Sequence, residues 1–172
     1  MQEGILMLFE KTTYEDDFPI HIRIVRITNY PFHYHQDHEL VYVLQGEVEL
    51  KNGSGSYILK EGDVFTNSGH EVHGLKATEC SNIVAIIQIG NHFFSQYFPT
   101  LSKACFRTYV NNDKYHQLDT LRKMLLNILI NYTKRSFNYK STCTEQMIDV
   151  IKYLNRYFNL FAFEDQVVVN FK

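Results

Sequence analysis

The sequence predicts a mostly β domain that is followed by a pair of amphipathic helices. Over residues 20–89, short apolar runs alternate with turn signals, a pattern that is typical of strands. After Gly90 the spacing of apolar residues lengthens from two to about 3.6, which is typical of helices. We therefore expect a barrel domain over residues 1–100 and a helical region over residues 101–172.

The β region consists of several short strands. Residues 20–27 (IHIRIVRI) alternate apolar and polar side chains, whereas residues 40–44 (LVYVL) are continuously apolar, as in a strand buried on both faces. Two further strands flank the Asn-Gly turn at residues 52–53, and others follow the Gly-Asp turn at residues 62–63. An antiparallel sandwich or barrel is favoured, because a single sheet would leave these apolar faces in water.

The C-terminal region predicts a short helical turn before Pro99 and then two long helices. Residues 114–135 form the first long helix, and the second begins near Thr142, where Thr-Cys-Thr-Glu fits a capping box. Each helix has one apolar stripe. The stripe of the first helix contains Leu118, Leu121, Leu125, Ile128 and Tyr132, and that of the second contains Met147, Ile148, Ile151, Leu154 and Phe158. This large apolar surface predicts a homodimer formed through an antiparallel helix pair; packing of the pair against the barrel is the alternative.

Composition argues against several classes of protein. The formal net charge of -2 does not favour strong DNA binding by this chain itself. Cys80, Cys105 and Cys143 are far apart and form no Cys-x-x-Cys pair, which argues against a disulfide framework and a thiolate zinc site. The N-terminus lacks a signal peptide, and no apolar run approaches the ~18 residues that cross a bilayer. We therefore expect a cytoplasmic protein without membrane partners.

Three histidines and a carboxylate crowd the start of the segment FHYHQDHELVYVLQG, residues 32–46. His33 and His35 lie two residues apart on a strand, so both side chains point to the same side, and Glu39 follows closely. His73 is the best candidate for a fourth ligand. Such a set suits divalent Zn, Mn, Fe or Ni. The alternative is a pocket wall of hydrogen-bonded histidines that holds no metal.

The spacing of these residues resembles the two conserved motifs of the cupin superfamily. Residues 33–46 carry the first motif as His-x-His, three residues, Glu, six residues and Gly. Residues 62–73 carry the second, from Gly-Asp to histidine. The resemblance covers about residues 20–89 and implies a double-stranded β-helix (jelly-roll) barrel. It also implies four metal ligands: His33, His35, Glu39 and His73.

Four positions near these motifs carry separate expectations. Ile27 stands where the superfamily has its leading glycine, and Ser68 stands where the second motif has proline. His38 and His70 fit neither motif, so we expect them to be solvated turn residues.

The order of barrel, long helix and second helix resembles the N-terminal effector-binding domain of AraC-type transcriptional regulators. Residues 150–165 (VIKYLNRYFNLFAFED) look like the opening helix and linker of the DNA-binding half of that family. The resemblance implies a dimer with a small-molecule effector in the barrel and DNA binding only through a domain absent from this chain. The effector would contact the four motif residues and nearby aromatic residues, namely Phe32, Tyr42 and Phe65.

This interpretation makes the chain a sensing domain in transcription regulation and not an enzyme. The alternative is a small metal-dependent cupin enzyme, a dioxygenase or an isomerase, in which a metal polarises the substrate or binds oxygen. The four ligand positions support the enzyme, whereas the sequence shows no clear acid or base besides those ligands.

Overall fold

The computed structural model describes residues 8–101, 104–109 and 115–159. A β region comes first, and helices follow it, as predicted. The strands are β1 (Leu8–Phe9), β2 (Ile20–Val25), β3 (Asn29–Tyr34), β4 (His38–Asn52), β5 (Gly55–Lys60), β6 (Val64–Asn67) and β7 (His73–Ile89). The helices are α1 (Asn91–Tyr97), α2 (Tyr115–Lys134) and α3 (Tyr139–Phe158), with a 3₁₀ turn at Pro99–Leu101.

Two long antiparallel strands, β4 and β7, organise the barrel. The first half of β4 also pairs with β6 and its second half with β5. Likewise, β3 pairs with the start of β7 and β2 with its end, while β1 adds a short parallel edge to β3. Because the two halves of each long strand have different partners, the strands form a half-barrel around one apolar core, and the predicted mostly β jelly-roll fold is confirmed.

Gly46 allows β4 to bend between these two halves. Its φ of 75° lies in the left-handed region, and the pairing with β7 shifts register on both sides of it. A β-carbon at this position would lie 1.7 Å from the carbonyl oxygen of Ser81. The glycine of the first motif is therefore required by the backbone and by the close approach of β7.

Alternate side chains of β4 belong to two different cores. Val41 and Val43 lie in the barrel core, whereas Leu40 and Tyr42 face the helices. The continuous apolar run is therefore buried on both faces, as predicted. Since side chains alternate along a strand, Glu39 shares the face of Val41 and points into the barrel.

The helices α2 and α3 form the predicted antiparallel pair. The Asn131 amide donates to Gln146 Oε1 at 3.2 Å near one end, and Tyr153 Oη donates to the carbonyl of Gln117 at 3.2 Å near the other. The predicted start of α3 at Thr142 is wrong, because the backbone N–H of Thr142 already donates to the carbonyl of Asn138. The capping-box residues thus lie inside the first turns of the helix.

The helix pair packs on the outer face of the barrel. One continuous core joins Leu40 and Ile87 of the strands to apolar residues of both helices, which are Leu121, Leu125, Ile128, Leu129, Met147, Val150, Ile151, Leu154 and Phe158. On α2, Leu126 and Ile130 remain 39% and 46% exposed. Within the described part of the chain, neither these helices nor α1 is long and apolar enough to cross a membrane.

Candidate metal centre

The strands bring His33, His35, Glu39 and His73 together inside the barrel. His33 lies near the end of β3, His35 follows that strand, Glu39 is the second residue of β4 and His73 is the first residue of β7. All four are buried, and each offers a ligand atom within 4.8 Å of the others. The predicted constellation therefore forms, from residues up to 40 positions apart in the sequence.

The backbone fixes the orientation of each imidazole. The Nδ1 atom of each histidine lies close to a backbone carbonyl oxygen. The distance is 3.0 Å from His33 to Pro31, 2.9 Å from His35 to Asp37, and 2.8 Å from His73 to Glu71. A carbonyl oxygen can only accept, so Nδ1 carries the proton in all three rings. A ring whose Nε2 carries no proton therefore directs the lone pair of that nitrogen toward the centre, as metal-binding histidines do.

The atoms at the centre of the site, which are imidazole nitrogens and carboxylate oxygens, are mainly hydrogen-bond acceptors. Glu39 Oε2 lies 3.3 Å from His35 Nε2, and Oε1 lies 3.1 Å from His73 Nε2. The Nε2 atoms of His33 and His73 are buried and have no hydrogen-bond partner among the described residues. Lone pairs and carboxylate oxygens at these distances repel each other unless a proton or a metal cation lies between them.

Divalent metal fits this arrangement. In a tetrahedral site with bonds of about 2.1 Å, ligand atoms would lie about 3.4 Å apart. The contacts of Glu39 with His35 and His73, at 3.3 and 3.1 Å, are close to that separation. Three imidazole nitrogens and one carboxylate suit Zn, Mn, Fe and Ni, so His33, His35, Glu39 and His73 could hold any of these ions.

Two neighbouring amides hold the carboxylate of Glu39. The Asn67 amide donates to Oε1 at 3.0 Å, and the Gln88 amide donates to Oε2 at 3.4 Å. Burial would raise the pKa of Glu39, but its contacts with His35 and His73 outweigh burial and hold the pKa well below 4.5. The carboxylate is therefore ionised.

The pKa of His73 is shifted in the opposite direction. Burial lowers the pKa of this imidazole, but the Glu39 carboxylate outweighs burial and raises the pKa above 6.5. Without metal, the Glu39 carboxylate thus favours the protonated form of the His73 imidazole. A metal ion and this proton compete for the same nitrogen.

Sequence reasoning missed a second group of polar residues beside the centre. Glu10 Oε2 lies 3.2 Å from His33 Nε2, and Glu10 Oε1 lies 3.1 Å from an Arg23 guanidinium nitrogen. The same nitrogen of Arg23 donates to Tyr30 Oη at 3.2 Å. Burial would raise the pKa of Glu10, but His33, Arg23 and Tyr30 outweigh it and lower the pKa to about 2.

Some of these missed residues left a sequence signal. Gln88 is a polar residue in the apolar run of β7, whereas Arg23 stands at a polar position of an alternating strand and left no such signal. A polar side chain at a core-facing position indicates a buried network. Glu10 left no such signal, because its place depends on the pairing of β1 with β3.

The three predicted aromatic contacts lie apart from the metal centre. Tyr42 is on the opposite face of β4 from Glu39 and packs toward the helices. Phe32 borders a separate cavity of about 120 Å³, and Phe65 packs on Tyr57 beside a cavity of about 270 Å³. The structure does not bring these side chains into the histidine group.

For the two histidines that fit neither motif, one expectation is wrong. His70 is exposed in a turn, as expected. His38 is buried, and its ring centroid lies 4.2 Å from that of Phe94, because β4 starts under α1. The expected solvation of His38 is therefore incorrect.

The structure gives a local reason for one of the two departures from the motifs, which is Ser68. The Asn82 side chain makes two hydrogen bonds to the backbone of Ile27. The Asn82 Oδ1 accepts from the Ile27 N–H at 2.7 Å, and the Asn82 amide donates to the Ile27 carbonyl at 3.0 Å. The backbone N–H of Ser68 donates to the Glu71 carboxylate at 3.2 Å. A proline at residue 68 could not make that hydrogen bond.

The barrel and its buried histidine–carboxylate group define a cupin domain. Residues 28–87 match the cupin domain family (Cupin_2), and this match supports assignment to the cupin superfamily. The predicted resemblance to cupins is confirmed. A search of curated proteins finds no match.

Solved structures of other proteins are similar to part of this chain at low identity. The DMSP lyase DddQ from Ruegeria pomeroyi DSS-3 is 22% identical, with a TM-score of 0.40 over 43% of this chain and 40% of that chain. A cupin-like protein from Thermotoga maritima is 22% identical, with a TM-score of 0.41 over 44% of this chain and 61% of that chain. A variant oxalate decarboxylase from Bacillus subtilis is 20% identical, with a TM-score of 0.39 over 43% of this chain and 22% of that chain.

These comparisons correct one functional prediction. Sequence reasoning predicted that the chain is not an enzyme, but the similar structures include DMSP lyases and an oxalate decarboxylase. That prediction is contradicted. The present chain spans less than two thirds of each of those proteins, and the likeness extends to the fold alone.

Proposed function

We propose that this chain is a metal-dependent cupin enzyme. The observation that carries the proposal is the orientation of three buried imidazoles, whose Nδ1 protons are held by backbone carbonyls and whose Nε2 lone pairs converge on Glu39. A pocket wall that only recognised a ligand would not need three inward lone pairs beside a carboxylate.

His33, His35, Glu39 and His73 would hold the ion. A divalent transition metal bound there would supply Lewis acidity and, for a redox-active ion, oxygen chemistry. The protein residues fix the ligands: Asn67 and Gln88 hold the two carboxylate oxygens of Glu39, and the backbone carbonyls hold the rings. Val41 and Ile86 belong to the apolar core of the barrel and lie two residues along their strands from Glu39 and Gln88.

A cavity of about 240 Å³ borders Arg23, Tyr30 and Ile86. Glu10 and the four candidate ligands do not line this cavity, but Arg23 and Tyr30 connect it to Glu10. Arg23 contributes a positive charge and Tyr30 a hydroxyl at this wall, and two guanidinium nitrogens of Arg23 are buried without a hydrogen-bond partner among the described residues. The reaction classes that suit the ligand set are those of a dioxygenase and an isomerase.

The proposal is tested by metal reconstitution and turnover. The chain is loaded separately with Fe(II), Mn(II), Ni(II) and Zn(II), and small organic substrates are screened for oxygen consumption and for isomer formation. We expect turnover with one metal, loss of turnover in His33→Ala, and retention in His116→Ala, which removes an exposed histidine of α2. Turnover that His33→Ala leaves unchanged would remove the metal centre from the reaction.

A second candidate is the effector-sensing and dimerisation domain of an AraC-type transcriptional regulator. The order of barrel and helix pair supports it, and so does the exposed apolar stripe of Leu126 and Ile130 on α2. A second copy of the chain would cover this stripe, and the effector would bind in the barrel. Part of the predicted linker, residues 160–165, lies outside the described residues.

This candidate is tested by the oligomeric state. Sedimentation equilibrium should give a dimer for the unmodified chain and a monomer for Ile130→Lys, while Lys123→Ala on the exposed surface of α2 should remain dimeric. A monomer in all three cases would argue against dimerisation through α2.

A further inference from the structure

A cavity of about 270 Å³ lies between the barrel and the segment that follows the 3₁₀ turn. Barrel residues, which include Tyr57, Phe65 and Glu71, form one wall, and residues 105–109 form the other. None of the four proposed metal ligands lines this cavity. Small-molecule sites typically enclose about 300–1,000 Å³, so the cavity suits a molecule with a single ring.

Three aromatic rings form a continuous surface in this cavity. The ring centroid of Tyr57 lies 4.9 Å from that of Phe65 and 5.5 Å from that of Tyr109, and the centroids of Phe65 and Tyr109 are 6.2 Å apart. The rings pack on one another and so leave no cage that could surround a cation. A packed aromatic surface favours contact with another planar ring.

The Glu71 carboxylate adds a hydrogen-bond acceptor to the wall. The Asn52 amide donates to its Oε1 at 2.8 Å, and the backbone N–H of Ser68 donates to its Oε2 at 3.2 Å. A carboxylate has about four acceptor positions, so two donors do not saturate it. Glu71 can therefore accept a further hydrogen bond from a bound molecule.

Arg107 adds a positive charge to the opposite wall. Its backbone N–H donates to the carbonyl of Phe158 at 2.8 Å, which ties this residue to the end of α3. Its side chain is exposed and has no ion pair or hydrogen bond with any described residue. A guanidinium group recognises carboxylates through two parallel hydrogen bonds, so Arg107 favours an anionic group on the ligand.

Hydrogen bonds to β6 hold this second wall in place. Thr66 Oγ1 donates to the carbonyl of Phe106, and Thr108 Oγ1 donates to the carbonyl of Val64 at 2.7 Å. The cavity is therefore formed before any ligand arrives, which lowers the entropic cost of binding.

We propose that this cavity binds a small aromatic carboxylate that also carries a hydrogen-bond donor. The ring would pack on the aromatic surface of Tyr57, Phe65 and Tyr109, the carboxylate would pair with Arg107, and the donor would meet Glu71. The site is separate from the proposed metal centre, so binding needs no metal.

The test is titration calorimetry of the whole, metal-free chain with 4-hydroxybenzoate as the probe. Three analogues each lack one feature: 4-hydroxybenzyl alcohol lacks the charge, trans-4-hydroxycyclohexanecarboxylate lacks the aromatic ring, and benzoate lacks the hydroxyl donor. We expect 4-hydroxybenzoate to bind more tightly than all three, by about 10-fold over the alcohol, because a hydrogen-bonded charge pair is lost there.

Two variants locate the bound probe. Arg107→Gln should weaken binding of 4-hydroxybenzoate by about 10-fold and leave binding of 4-hydroxybenzyl alcohol unchanged. Tyr109→Leu should weaken both compounds by about 3-fold or more, because it removes an aromatic contact. Arg156→Gln, a change at an exposed arginine of α3 that does not line the cavity, is the control and should match the unmodified chain.

Each contrary result would overturn the inference. Absence of binding to the folded, unmodified chain at millimolar probe would exclude this class of ligand. Affinity that Arg107→Gln and Tyr109→Leu leave unchanged would place the probe outside the cavity. Equal losses for the acid and the alcohol in Arg107→Gln would show that Arg107 does not pair with the carboxylate. Circular dichroism establishes that each variant is folded, and none of these results bears on the metal centre.

Discussion

His33 and His73 lie opposite each other in the β3–β7 register, with their ring centroids 4.3 Å apart and both Nε2 atoms buried. Their Nδ1 protons are held by carbonyls outside the centre. Two lone pairs are thereby directed into one dry space beside Glu39. The pairing of two strands thus creates a site whose lone pairs favour a cation.

Replacing Gln88 should weaken metal binding without removing a ligand. In Gln88→Leu, the carboxylates of Glu10 and Glu39 lose a shared donor, and residues that orient ligands typically contribute about 10- to 100-fold to affinity. Titration calorimetry should show Zn(II) affinity reduced by about 10-fold or more. Gln45→Leu, at an exposed position of β4, is the control and should bind as the unmodified chain does.

The stability of the metal-free protein should decrease at both ends of the pH range. The lowered pKa of Glu39 gives stability that is present above about pH 4.5 and is lost as pH falls through the folded-state pKa. The raised pKa of His73 gives stability that is present below about pH 6.5 and is lost as pH rises through its folded-state pKa.

Metal should therefore stabilise the protein most at high pH. Protons compete with the ion for Nε2 of His73 below its raised pKa, and above it the ion has no competitor. Calorimetry with and without Zn(II) should show an increase in Tm that grows from acidic to mildly alkaline pH. If Zn(II) raised the Tm by the same amount across this pH range, His73 would not bind the ion.

The bend of β4 should make residue 46 intolerant of a side chain. Gly46→Ala places a β-carbon 1.7 Å from the Ser81 carbonyl oxygen at a φ of 75°, so we expect a loss of more than about 2 kcal/mol in the free energy of unfolding. Gly53→Ala has no atom within 4 Å of the new carbon and should change stability by less than about 0.5 kcal/mol. Urea denaturation of both variants measures the difference, and equal effects would contradict the bend.

The helix pair should be an integral part of the barrel's stability. Leu125 of α2 is fully buried between barrel and helices, so Leu125→Ala should cost about 2–5 kcal/mol in unfolding free energy. The neighbouring Leu126 is 39% exposed, and Leu126→Ala should cost less than about 0.5 kcal/mol. Similar costs for the two would show that α2 does not pack on the barrel as described.

Much of the site could be predicted from the sequence because several of its residues lie close together in the chain. The spacing of His33, His35 and Glu39 lies within seven residues, and Gly46 and the Gly-Asp turn complete patterns that depend on backbone geometry. The strands and the stripe of α2 were likewise visible, because apolar periodicity follows from burial of one face.

The rest could not be predicted because it depends on long-range pairing. Tyr42 lies in a run that is apolar on both faces, so alternation could not tell which side chains face the ligands. Glu10 reaches His33 only after β1 pairs with β3. The early start of α3 follows its packing on the barrel core, which overrides the capping signal at Thr142.

Metal content is the most direct measure of the central claim. The chain is purified without added metal, and its transition metals are determined by mass spectrometry beside those of His73→Ala and of His116→Ala. We predict close to one ion per chain in the unmodified protein and in His116→Ala, and almost none in His73→Ala. A folded, unmodified protein that holds no metal and takes up none on addition of Zn, Mn, Fe or Ni would contradict the account.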